Sequence, residues 1–200
     1  MTINLVKGQR ISLKKEAPNL TRIMCGLGWD VAKSKGGGLA SLFNRPPDFD
    51  LDASVLCLNT DDKLKNKDDI VYFGNLRHQS GAITHLGDNL TGAGAGDDEQ
   101  ILIDLPNIVP EIAKLVFVVN IYNCFPRQQN FEQVDNAFVR LVDLSNNREL
   151  ARYNLSGQEY QGKTAMVMAE IYRHNGEWKM AAIGTGMKVQ NLEAITASYK

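Results

Sequence analysis

Cysteine is scarce: Cys25, Cys57 and Cys124 are the three in 200 residues, far apart and with no Cys-x-x-Cys. An odd, scattered set argues against a disulfide framework and against a thiolate zinc site, so each reads as a plain buried thiol. Histidine is equally thin, with three residues and no His-Glu-x-x-His, which removes the usual zinc hydrolase pattern. His78 and His85 flank a serine, yet no Gly-x-Ser-x-Gly elbow accompanies them. No run of about 18 apolar residues occurs, so no membrane-spanning helix is expected. The first residues lack the apolar stretch of a signal peptide, and a cytoplasmic location is the expectation. Helical periodicity is also rare, confined to a turn near 110–113 and a short terminal helix over 191–198.

What is present is a succession of short β-patterned segments. Residues 3–6 and 10–13 flank Lys7-Gly8-Gln9 and are expected to form a hairpin. Residues 20–27, 71–73, 101–105 and 137–143 read as further strands. In 49–58, Phe49, Leu51, Ala53, Val55 and Cys57 are expected to point one way while Asp48, Asp50, Asp52 and Ser54 point the other. The run 114–123 is apolar and β-branched almost throughout, as a strand buried on both faces requires. Residues 165–173 and 177–183 are joined by His174-Asn175-Gly176, a strong hairpin turn. The fold expected is all-β: a single-domain β-sandwich of two mainly antiparallel sheets with few short helices. A Gly- and Pro-rich loop covers 33–47.

The net charge of −1 hides an asymmetry. Residues 48–104 hold twelve Asp or Glu and four Lys or Arg, a balance of −8, while the rest of the chain is at +7. Such a block attracts cations and repels phosphates, so nucleic acid is not an expected partner. Two segments concentrate the acid. Asp48, Asp50 and Asp52 alternate along one strand face with no lysine between them. From Gly87 to Glu99, Asp88, Asn89, Asp97, Asp98 and Glu99 are interleaved with glycines that let a loop wrap and turn its carbonyls inward. Calcium takes six to eight oxygen ligands of these kinds. The spacing is not that of an EF-hand, and no Gly-Lys-Ser/Thr follows to make a phosphate loop. Another divalent ion, or an unliganded acidic loop, remains open on composition alone.

Several segments together resemble the TerD family of tellurium-resistance and stress proteins. They are Gly26-Leu27-Gly28-Trp29-Asp30, Phe49-Asp50-Leu51-Asp52-Ala53-Ser54, Gly87-Asp88-Asn89-Leu90-Thr91-Gly92 and Gly96-Asp97-Asp98-Glu99. Asn130-Phe131, Val134, Asn136-Ala137-Phe138 and the stretch from Tyr172 to Lys179 add to the match, which covers roughly residues 3–190. The resemblance implies a bacterial, cytoplasmic β-sandwich that binds two calcium ions in adjacent acidic sites. By motif position it implies Asp30, Asp50, Asp52, Asp69, Asp88, Asn89, Asp97, Asp98 and Glu99 as ligands. It also implies a stress-response role, an integral membrane partner of the TerC type that would hold the protein at the inner face of the membrane, and association with other TerD-like proteins. The segment between Asp30 and Asp48 is longer than the family pattern.

The combined expectation is a non-enzymatic calcium-binding stress module, the ion joining the 49–58 strand to the 87–99 loop and ordering a partner surface. A cyclic-nucleotide or small-ligand module of the same fold is the alternative. Paired Asp residues also occur in glycosidases, but carboxylates this crowded, with no aromatics interleaved, fit a cation better.

Overall fold

A computed structural model describes residues 1–31, 50–87, 96–155 and 160–200. Its strands are β1 (Ile3–Leu5), β2 (Arg10–Ser12), β3 (Arg22–Val31), β4 (Leu51–Leu58), β5 (Ile70–Val71) and β6 (Ile83–His85), followed by β7 (Glu99–Asp104), β8 (Lys114–Ile121), β9 (Val134–Asp143), β10 (Arg148–Asn154), β11 (Ala165–His174) and β12 (Glu177–Met187). Two six-stranded sheets form. Sheet A runs β1-β10-β9-β3-β7-β6 and sheet B runs β2-β12-β11-β8-β4-β5. All pairings are antiparallel except β1 with β10. The all-β sandwich is as expected. Among the described residues no helix is long and apolar enough to cross a membrane.

The alternation of β4 places Leu51, Ala53, Val55 and Cys57 in the core between the sheets. Its other face carries Leu56 and Leu58, buried in a second, smaller core with Val116, Val118 and Ile195. That outer core explains why β8 reads as apolar on both faces. Leu115, Phe117 and Val119 face inward, while Val116 and Val118 face a C-terminal cover. The cover includes the short helix Leu192–Thr196, capped by Asn191 accepting from Ala194 N–H. All three cysteines are buried and unpaired. Burial pushes the Cys25 and Cys57 thiols up, reinforced by Asp97 and Asp69 respectively.

The hairpin of β11 and β12 turns at Asn175 and Gly176, both at positive φ, as Asn-Gly predicts. The hairpin expected of the first two strands does not form. Gln9 N–H donates to the Val6 carbonyl, so the chain turns, but β1 pairs with β10 in one sheet and β2 with β12 in the other. Lys7-Gly8 makes a crossing between layers instead of a two-residue reversal, because each strand finds a longer partner elsewhere. The 33–47 loop, Asp48 and Phe49 lie outside the described residues.

Candidate cation-binding site

The Gly26-Leu27-Gly28 sequence shapes the site first. Cys25, Leu27 and Trp29 point into the inner core, so Gly26 and Gly28 face outward from sheet A. A Cβ on Gly26 would collide with the Asp97 carboxylate, and one on Gly28 would meet the Phe138 ring and come within 2.7 Å of the Gly96 carbonyl oxygen. The missing side chains form a notch in which residues 96–98 lie flat on the sheet. Asp98 N–H donates to the Leu27 carbonyl (2.8 Å) and fixes that approach.

In this notch Asp97 has its own protein cation. Arg140 Nε donates to Oδ1 at 2.6 Å and its second guanidinium arm donates to Oδ2 at 2.8 Å. Gln100 adds a bond at 3.1 Å. The Asp97 side chain is 0% exposed. Arg140 is raised further above its already high value, first by its hydrogen bonds to Asp97. The same arginine donates to Glu149, which Arg152 also grips. Burial would raise Glu149, but the bonds from Arg152 and Arg140 outweigh it and hold its carboxyl below the usual range.

Asp98 and Asp30 are brought together next to this pair. Trp29 N–H donates to Asp98 Oδ2 at 2.8 Å, and Asn136 Nδ2 donates to Asp30 Oδ2 at 2.8 Å. Burial pushes the Asp98 carboxyl up. The Trp29 N–H opposes this, while the charges of Asp30 and Asp97 add to it. Asp30 sits directly across from Asp135 on β9, a like-charge pair that disfavours the sheet unless something positive intervenes.

Asp50 and Asp52 belong to the other sheet. Asp52 shares the outer face of β4 with Leu56 and Leu58, is 5% exposed, and lies opposite Asn120 of β8. Asn120 Nδ2 donates to Asp52 Oδ2 at 3.3 Å. The Asn120 Oδ1 and the neighbouring Ser54 hydroxyl are buried with no hydrogen-bond partner among the described residues. Asp50 is half-buried, and its carbonyl accepts from Tyr122 N–H.

Glu99 and Asp69 have histidine partners, a link the sequence did not suggest. Glu99 reaches inward to β4, where its Oε2 accepts from Ala53 N–H (2.7 Å) and His85 Nε2 (3.1 Å). His85 Nδ1 accepts from Gly87 N–H, so Nε2 carries the proton. Glu99 and His85 thus serve the edge of β4 where β5 has already ended, and tie the two sheets together. Asp69 accepts from Asn66 N–H and from His78 Nε2, whose Nδ1 caps the Ser80 turn. Asp69 lines a cavity with Cys57, five residues along β4 from Asp52 and so about 16 Å away. Asp88 and Asn89 lie outside the described residues. Among those described, no three His, Cys, Asp or Glu side chains form a metal-binding group.

A single charge within the apolar stretch from Ala137 to Val142 was the available signal for Arg140, as a lone amide in β8 was for Asn120. Each implies a buried partner.

The chain matches the model of the TerD domain over residues 1–199. It is 50% identical to the stress response protein SCP2 of Bacillus subtilis (strain 168), over 100% of both chains. It is 41% identical to the tellurium resistance protein TerD of Serratia marcescens, covering 100% of this chain and 97% of that one. A crystal structure of a homologue of telluride resistance protein (TerD) from Streptomyces coelicolor A3(2) superposes with a TM-score of 0.68 at 22% identity, over 91% of this chain and 99% of the other, and supports the fold. The chain belongs to the TerD domain family, whose members include stress-response and tellurium-resistance proteins.

Proposed function

We propose that this protein is a non-enzymatic, cytoplasmic stress-resistance module that works by binding calcium. The observation that carries the reading is the outer face of β4 and β8, where the buried Asp52 carboxylate adjoins the unpartnered Asn120 Oδ1 and Ser54 Oγ. A buried acceptor without a donor costs about 1–3 kcal/mol. A hard cation beside the carboxylate would satisfy both of these oxygens at once. An all-oxygen donor set suits calcium, which accepts many neutral and anionic oxygens in irregular geometry; magnesium keeps most of its waters.

The proposed ligands fall into two sets, one on each sheet. Asp50 and Asp52, with Asn120 and Ser54, would hold one ion on sheet B. Asp30 and Asp98 would hold a second on sheet A, where their mutual repulsion needs a positive charge. Asp88 and Asn89 complete the set carried by family resemblance. Asp97, Glu99 and Asp69, already engaged by Arg140, His85 and His78, act here as anchors that fix the flanking chain.

Calcium would then order the surface presented to a membrane partner of the TerC type or to other TerD-like proteins. The test is thermal unfolding of metal-stripped protein titrated with calcium and, separately, magnesium. Calcium at 100 times its dissociation constant adds about 2.7 kcal/mol, a shift of a few degrees at this size. Asp52→Asn and Asn120→Ala each reduce that shift. A shift that magnesium reproduces, or that both variants retain in full, contradicts the assignment.

A further inference from the structure

A cleft of about 1000 Å³ opens beside the sheet A acids, at the upper end of the range for small-molecule sites. Its floor is apolar and aromatic: Trp29, Phe131, Leu155, Tyr160 and Met166 line it, and each is at least nine-tenths buried. The Trp29 side chain is 5% exposed, and its indole N–H is buried with no hydrogen-bond partner among the described residues. A buried donor left in that state is costly.

The rim carries Asp30, Glu132 and Asp135. Asp30 and Asp135 face one another across β3 and β9. Arg152 is the only cation among the described lining residues. Its guanidinium is bonded to Glu149 and lies 4.1 Å from the centre of the Phe138 ring. The rim is therefore net negative and favours a positive charge.

We infer that this cleft binds a small organic cation with an aromatic or branched apolar body. The acidic rim repels phosphate, so a cyclic nucleotide is the wrong class of ligand for it. The inference stands apart from the calcium reading. Asp30 is common to both, but the remaining groups are not.

The test uses tyramine, a cation with an aromatic body and a phenol oxygen, and its charge-reversed counterpart 4-hydroxyphenylacetate, with cyclic AMP as a third probe. Metal-stripped protein keeps failure of the calcium reading separate from failure of this one. The readout is the Trp29 indole N–H resonance, distinguished from Trp178 with a Trp178→Phe variant. Tyramine is expected to move that resonance saturably. 4-Hydroxyphenylacetate and cyclic AMP should bind at least tenfold more weakly. Glu132→Gln with Asp135→Asn, both at exposed positions, should weaken tyramine about fivefold with the thermal midpoint retained. Equal or tighter binding of either anion overturns the inference, as does unchanged tyramine affinity in the double variant. An unmoved Trp29 resonance at millimolar tyramine overturns it equally.

Discussion

Asp97 and Asp52 are both shielded from solvent, one on the outer face of each sheet, and the protein answers them differently. Asp97 receives a bidentate guanidinium and an amide, so its charge is matched within the chain. Asp52 accepts from the Asn120 amide, whose own oxygen is buried with no hydrogen-bond partner among the described residues. A matched carboxylate is a structural fastener. A carboxylate packed beside unpartnered oxygens is, on the proposed function, where a cation would sit. Acidic residues that look alike in sequence thus divide by the company their neighbours provide.

Breaking the matched side has the largest expected effect. Arg140→Ala leaves Asp97 buried without its cation, a change that costs about 3–5 kcal/mol for buried pairs. The guanidinium is 26% exposed, which places this pair at the low end, about 3 kcal/mol. Urea unfolding measures it, and a loss under about 1 kcal/mol would mean that the pair behaves as a surface ion pair.

Gly26→Ala attacks the notch from beneath. The new methyl meets a carboxylate that Arg140 holds in place, and overpacking of this kind costs about 1–3 kcal/mol. In Gly26→Ala with Arg140→Ala the carboxylate can swing away, so the two costs should add to less than their sum in the same unfolding experiment. Full additivity would show that the methyl is accommodated some other way.

Asp98 gives the smallest effect and tests the intermediate case. Its folded pKa is raised, first by burial, so proton binding favours the folded state. The contribution is fully present below the ordinary Asp value of about 3.9 and is lost as pH rises through the raised value. Metal-stripped wild type should therefore lose a little stability across that window, and Asp98→Asn should not. Thermal midpoints recorded against pH check this, and parallel profiles would contradict it.

Much of the frame was legible because burial leaves a period. The two-residue alternation of β4, the apolar run of β8 and the Asn-Gly turn of the last hairpin each predict what forms. β6 and β10 were not read. β6 is three residues long, and β10, Arg-Glu-Leu-Ala-Arg-Tyr-Asn, carries three charges and has an irregularity between Glu149 and Ala151 that breaks its alternation. The pairing of β1 and β2 was misread because a local turn says nothing about which sheet each flank joins. Long-range partners were silent for the same reason. Arg140 lies 43 residues from Asp97 and His85 lies 14 from Glu99, so no local spacing connects them. Composition showed that the region was acidic; only the fold shows which acids are already satisfied.

The most direct measurement is calorimetric titration of metal-stripped protein with calcium, in wild type and in Asp52→Asn. The account predicts saturable calcium binding with two ions per chain, reduced to one in the variant, and no comparable heat from magnesium. Absence of binding below millimolar calcium, or an unchanged stoichiometry in Asp52→Asn, would contradict it.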